Sequence, residues 1–506
     1  HVLLVVVSLA ALDTAPHVDG RDLMRTMHCR ALGCIALCSA YHLPLPPPPR
    51  AAVHLNFMKD PMAGGANDVR TRESALVAWL QDNGVRLSDK SGWGSAAHPL
   101  RVESDTVEDF EVSGRGLIAR KDVPQGENIV RIPGKLIMTK EAAQRVLGKQ
   151  VVPDALNEYL ALALLLMSER AKGPASFWAA YIDLLPTTEE VGQTWTWGED
   201  DLNMLTGSSV LDATQSLRSK VQAEYKMIIE EIVKPNGLDE SAYTFEVFEW
   251  AMSMLFSRAI DLREVGQLAL VPYADLLNHS PYAASYFFYE QVPLSPEREV
   301  CLYADRAYAK NDQVLISYGQ KSNAELLLLY GFVIDRNLFD EVDITVKLDP
   351  SDPRYDEKVD FLKLKNVKPA MSYPLLIDRY SSELMQFLRL ACVTPQMGRL
   401  DEYTFGEKVS PSNERAALQV LREGCLAALD RYPESEEADA QLMENARMFA
   451  SLPRNARMAV KLRRNEKRIL QRTIRVTETA LDVLMGLKTA QAAGRQAEME
   501  GYGGLW

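Results

Sequence analysis

The chain has 506 residues, 47% of them hydrophobic and 25% charged, and a formal net charge of −13 at pH 7. That length calls for two or three folded domains. The acidic balance argues against general nucleic-acid binding, which needs a basic face, and suits a basic protein segment as partner. The six cysteines include no CxxC pair, so neither a zinc site nor a disulfide framework is readable. After His98 only His279 remains, which excludes a multi-histidine metal centre in the body. There is no GxSxG elbow of a serine hydrolase and no GxxxxGK[ST] phosphate loop.

Residues 1–72 read as a targeting leader rather than a domain. Val2 to Leu12 is too short to span a bilayer as a helix. Arg25 and Arg30 precede an apolar stretch that ends in Cys38-Ser39-Ala40, and no Asp or Glu occurs from Met24 to Lys59. From Glu73 to Gly84, Leu76, Trp79 and Leu80 recur at helical spacing before an Asn83-Gly84 stop. Phe110 to Met138 reads as a hairpin-rich β unit. Its strands are Leu117–Ala119 and Ile129–Ile132, joined by the turn at Pro124–Glu127. Gly114 and Gly116 there would let backbone amides approach a ligand.

Glu141 to about Tyr243 reads as helical, with one apolar face at Leu156, Tyr159, Leu160, Ala163, Leu166 and Met167 behind a Pro153-Asp154 cap. Trp178, Tyr181, Trp195 and Trp197 in this region read as core rather than as a ligand cage. Tyr243 to Arg258 is an amphipathic helix whose terminal arginine also suits the helix dipole. Strands are expected at 286–289 and 300–303, and a turn at 309–312 leads into 314–318. The charged, proline-spaced stretch 341–370 reads as a linker. The remainder is helical, with a Pro411-Ser412 cap on one helix. A long helix from Pro453 to Met485 carries basic residues on several faces, which reads as solvated or as a partner contact.

Three pieces of this chain stand out together: Ser113-Gly114-Arg115-Gly116, then Arg258 through Pro272-Tyr273-Ala274-Asp275-Leu276-Leu277-Asn278-His279-Ser280, then Ile316-Ser317-Tyr318-Gly319 followed by Asn323 to Phe332. As a set they resemble the motifs of SET-domain protein methyltransferases. The closer likeness is to the branch typified by the Rubisco large-subunit lysine methyltransferase. The resemblance implies an α+β fold: a β-rich SET domain over 73–340, split by a helical insert at about 141–243. The linker at 341–370, an all-helical substrate-binding domain at 371–490 and a tail at 491–506 would follow. It implies S-adenosyl-L-methionine as cofactor and no metal. Ser113, Gly114 and Arg115 would face the cofactor's amino-acid end, Arg258 its carboxylate, and Asn278 and His279 its amine and adenine. Tyr318 would be catalytic. Asp275 would fix its turn or a substrate group, Arg263 would contact substrate, and Tyr330 and Phe332 would line a lysine channel.

Leu262 stands where plant Rubisco methyltransferases have a substrate-contacting Arg, with Arg263 next to it. Ile260 stands where the related histidine-methylating branch is expected to hold its imidazole with an Asn, which favours lysine as acceptor. The expected function is protein-lysine N-methylation, on a plastid protein such as Rubisco large subunit or aldolase. The alternatives are protein-histidine methylation and a non-catalytic SET-like binding module. The leader resembles a plastid-targeting presequence, with a cytoplasmic location as the other reading. The partner expected is a lysine-bearing protein, with no nucleic acid, no membrane in the mature form, and a monomeric enzyme.

Overall fold

The computed structural model describes residues 66–85, 98–108, 111–262, 264–285, 287–292, 294–398, 400, 408–490 and 492–494. The expected leader lies outside the described residues up to position 65, and so does most of the expected tail. The chain divides into two compact units. Among the described residues, one contains 66–191 together with 221–320, and the other contains 192–220 together with 321 onward.

The first unit opens with α1 (Ala66–Asp82), which buries Leu76 and Leu80. Its sheets use β1 (Leu100–Glu108), β2 (Glu111–Ala119), β3 (Asn128–Pro133), β4 (Ile260–Leu262), β5 (Gln267–Ala269), β6 (Asn278–His279), β7 (Phe287–Gln291), β8 (Arg298–Tyr303) and β9 (Gln313–Ile316). One sheet has the order β1-β2-β9-β6, a second β3-β8-β7, and β4 pairs with β5. Strands β2 and β3 therefore do not form the expected hairpin. β2 pairs with β1 and β9, and β3 pairs with β8, Ile132 opposite Val300. The turn before β3 separates two sheets instead of closing one.

Helices α2 (Lys140–Leu147), α3 (Glu158–Ala171) and α4 (Phe245–Arg258) complete this unit's frame. The cap of α3 is Asn157, whose side chain accepts from the Tyr159 amide at 2.8 Å. Asp154, expected at the cap, is exposed and receives Gln144 and Lys149 instead. α4 starts at Thr244, whose hydroxyl accepts from Val247 N, and buries Phe248, Met252, Leu255 and Phe256. Arg258 is its last residue.

The second unit holds α5 (Asn323–Tyr330), β10 (Glu341–Lys347), α6 (Tyr355–Leu364), β11 (Ala370–Leu376), α7 (Ser382–Ala391), α8 (Pro411–Leu429), α9 (Glu436–Glu444) and α10 (Arg454–Leu484). It is mainly helical, as expected, but the 341–370 stretch is folded rather than a linker. β10 and β11 pair antiparallel, and Val342, Ile344 and Val346 alternate into the core. α8 is capped by the Ser410 side chain with Pro411 at its first turn. The basic residues of α10 are not simply solvated. Lys467 and Arg463 reach the buried Asp439 at 2.7 and 3.1 Å, and Lys461 reaches Asp335 at 3.2 Å.

Candidate active site

The site is built where two short chain segments run side by side. Asn278 and His279 of β6 lie parallel to Leu315 and Ile316 of β9. The Ser280 amide extends that pairing to the Ile316 carbonyl at 2.9 Å. The parallel pairing brings Tyr318 back over the residues that precede β6. Its hydroxyl donates to the Leu277 carbonyl at 2.7 Å, and its amide donates to His279 Nδ1 at 3.0 Å. The two rings stack at 5.0 Å between centroids and 21° between planes. Burial pushes the Tyr318 phenol up to about 12, with Arg258 pulling it down and Asp275 adding to the rise. At neutral pH it is a protonated hydroxyl, not a phenolate.

Asn278 is fixed through its amide. Nδ2 lies 3.1 Å from Thr106 Oγ1 and 3.2 Å from both the Arg115 carbonyl and Gln313 Oε1. Thr106 sits at an irregularity in the β1–β2 register and donates its own hydroxyl to the Gly114 carbonyl at 2.8 Å. Gly116 lies under this cluster. A Cβ there would stand 2.7 Å from Gln313 Oε1, 2.8 Å from Thr106 Cγ2 and 2.9 Å from Asn278 Nδ2. Gly114 has φ +72°, a left-handed backbone that favours glycine. Thus Gly114, Arg115 and Asn278 are brought together, with Thr106 and Gln313, which the sequence reading did not single out. Ser113 precedes them on β2.

The third group centres on Asp275, in the tight turn Ala274–Leu276. Tyr273 enters this turn at φ 75°, an uncommon conformation for a bulky residue. The Asp275 side chain is buried. Its Oδ2 accepts from the Tyr181 hydroxyl at 2.7 Å and lies 3.6 Å from Arg258 Nη1, which itself donates to the Asp275 carbonyl at 3.0 Å. Burial pushes the carboxyl above its ordinary value, while Arg258, Tyr181 and Arg115 pull it down. Arg115 donates to the Leu184 carbonyl at 2.7 Å, and both burial and the nearby Arg258 lower its pKa. Within this group, the buried atoms Asp275 Oδ1, Arg258 Nε and Arg115 Nε have no hydrogen-bond partner.

Among the remaining expected site residues, Arg263 lies outside the described residues. Tyr330 and Phe332 belong to the second unit, at the end of α5, with their rings edge to face at 6.3 Å. Leu262 is fully buried on β4. No group of metal-ligating side chains is found among the described residues. Tyr181 reads in sequence as core packing, and nothing near it in the chain reveals its partner 94 residues away.

A SET-domain family model matches residues 114–319, and a Rubisco LSMT substrate-binding model matches residues 349–470. The chain belongs to the SET-domain protein methyltransferases of the Rubisco large-subunit lysine methyltransferase type. It is 29% identical over 445 residues to the chloroplastic fructose-bisphosphate aldolase-lysine N-methyltransferase of Arabidopsis thaliana, covering 84% of this chain and 87% of that protein. It is 29% identical over 391 residues to the chloroplastic Rubisco large-subunit N-methyltransferase of Nicotiana tabacum, covering 73% and 78%. The human actin-histidine N-methyltransferase is 28% identical over 428 residues, covering 79% of this chain and 67% of that protein. The solved LSMT SET domain bound to lysine and AdoHcy superposes with a TM-score of 0.68 at 27% identity, covering 85% of this chain and 96% of that one. Rubisco LSMT bound to AdoMet gives 0.66 at 28% identity, covering 84% and 96%. These relatives are protein N-methyltransferases acting on lysine or histidine, and the solved neighbours hold AdoMet or AdoHcy.

Proposed function

We propose that this enzyme methylates a lysine of a plastid protein of the Rubisco large-subunit or aldolase kind, with Tyr318 as its catalytic residue. The observation that carries the reading is the side-by-side pairing of β6 with β9. It holds the Tyr318 hydroxyl against Leu277 and its amide against His279. The leftover hydrogen-bonding capacity fits the cofactor. One buried carboxylate oxygen and two buried guanidinium nitrogens are unsatisfied by the protein, which suits a ligand carrying both an ammonium and a carboxylate. Arg258 and Arg115 would face the carboxylate. Ser113, Gly114, Asn278 and His279 would hold the rest, through backbone groups and the Asn278 amide. Asp275, already engaged by Tyr181 and Arg258, would fix its turn and those two side chains.

Bound S-adenosylmethionine supplies an electrophilic methyl group on a sulfonium. The protein's task is alignment, which is the main source of rate for such a displacement. A free lysine has a pKa of about 10.4, so a site that desolvates it favours the neutral amine the reaction needs. With its phenol pushed up to about 12, Tyr318 orients by hydrogen bonding and does not take the amine's proton at neutral pH. Ile260 on β4 offers no polar group to fix the tautomer of an imidazole acceptor, which favours lysine over histidine. The chloroplastic relatives and the stretch from Met24 to Lys59, which has no Asp or Glu, support a plastid location. No described helix is long and apolar enough to cross a membrane.

The test is transfer of labelled methyl from S-adenosylmethionine to purified Rubisco large subunit, to aldolase and to a plastid extract, followed by acid hydrolysis. Methyllysine is the expected product. Methylhistidine would overturn the acceptor assignment. Labelling confined to proteins outside the plastid would overturn the substrate class.

A further inference from the structure

Tyr181, Asp275 and Arg258 come from three separate parts of the chain: the short helix Ala179–Ile182, the turn Ala274–Leu276 and the end of α4. Nearby aromatic donors follow a different rule. Trp178 donates to the Leu136 carbonyl at 2.8 Å and Trp250 to the Pro186 carbonyl at 3.0 Å. Both satisfy backbone, as buried polar groups ordinarily do. Tyr181 instead spends its buried hydroxyl on an ionisable side chain that also touches the arginine of the site.

We propose that Tyr181 is a positioning residue: its hydroxyl tethers Asp275 as a carboxylate, and Asp275 thereby sets the pose of Arg258 for ligand. The tether rests on the reading of Arg258 as a cofactor contact. The groups facing Asp275 are Arg258 from α4, Arg115 from β2, Tyr181 itself and Tyr318 beyond β9. The fully buried Tyr181 phenol is held well above its ordinary value by burial and by Asp275, so it always presents a proton. A hydrogen bond to the charged form of an acid stabilises that form. Without it, Asp275 protonates at a higher pH, and the protonated form loses its ion pair with Arg258 and keeps only the contact through its main-chain carbonyl.

The experiment compares wild type with Tyr181→Phe, reading the Kd of S-adenosylmethionine by calorimetry and kcat/KM for transfer from pH 6 to 9. The deficit of Tyr181→Phe should be tenfold or more at the acid end and shrink steadily toward pH 9. A packing role alone would give one constant factor, and a constant factor overturns the tether. The second variant is Asp275→Asn, which cannot titrate. Adding Tyr181→Phe to it should cost no more than twofold further; fully additive losses overturn the proposal even if Tyr181→Phe alone is unstable. A wild type that does not bind S-adenosylmethionine overturns the site reading and the tether with it.

Discussion

Tyr318 is held from two directions, by its hydroxyl on the Leu277 carbonyl and by its amide on His279, while its ring lies on the imidazole. Removing only the hydroxyl leaves the amide contact and the stacking in place. Tyr318→Phe should therefore bind S-adenosylmethionine within about threefold of wild type. Methyl transfer should fall by roughly 100-fold or more, the range found when one positioned donor is lost from an active site. Single-turnover transfer beside calorimetric binding checks both halves. Stability should drop by only about 1 kcal/mol, the net worth of one ordinary hydrogen bond. Because burial keeps this phenol protonated to about pH 12, the alkaline rise in rate belongs to the acceptor amine and should persist in the variant. Loss of that rise in Tyr318→Phe would mean that tyrosine, not lysine, is the titrating group.

At the scale of elements, β1, β2, β6 and β9 meet at the Asn278 amide, and Gly116 is the point where they leave no room. Gly116→Ala would push a methyl against Gln313, Thr106 and Asn278 at once, costing about 1–3 kcal/mol by overpacking. Gly114→Ala meets open space and pays only for its left-handed backbone, about 1–2 kcal/mol. At comparable losses in Tm, Gly116→Ala should weaken cofactor binding the more, because it alone displaces Asn278; equal Kd values for the two would discard that role. The contiguous motifs around Asn278, His279 and Tyr318 were legible in sequence because their residues are neighbours in the chain. The contacts of Thr106, Gln313 and Tyr181 were not, since their partners come from other strands and turns. β3 likewise read correctly as a strand, yet its partner β8 follows about 170 residues later, a pairing that local propensity does not encode. The strand at 341–347 did carry a signal. Val342, Ile344 and Val346 alternate strictly, but prolines and charges just beyond them suggested a linker.

At the scale of the whole molecule, the second unit is built around ionisable groups that its core excludes from water. Glu466 of α10 accepts from Ser208 at 2.7 Å and from Tyr432 at 3.0 Å, which ties the 192–220 segment and the end of α8 to one buried carboxyl. Burial pushes that carboxyl up to about 7, against the pull of these two donors, and the nearby Asp340 adds to the rise. Asp340 is itself raised by burial to about 6 despite hydrogen bonds from Asn323 and the Glu341 amide. The unfolded chain releases the Glu466 proton near 4.5, and the folded chain holds it to about 7. Between those values the native state binds more protons, so stability falls as pH rises through the window and levels off above it. The full excursion is roughly 3 kcal/mol at most, with Asp340 adding slope at its lower end. Glu466→Gln keeps the shape of the side chain and cannot ionise. Its free energy of unfolding should vary less than that of wild type between pH 5 and 7, and at pH 8 it should be at least as stable. Urea titrations at pH 5, 6, 7 and 8 on both proteins measure the difference. A wild type whose stability climbs over that range, or a variant weakened equally at every pH, would show that Glu466 is ionised in the fold and that its two hydroxyl donors outweigh its burial.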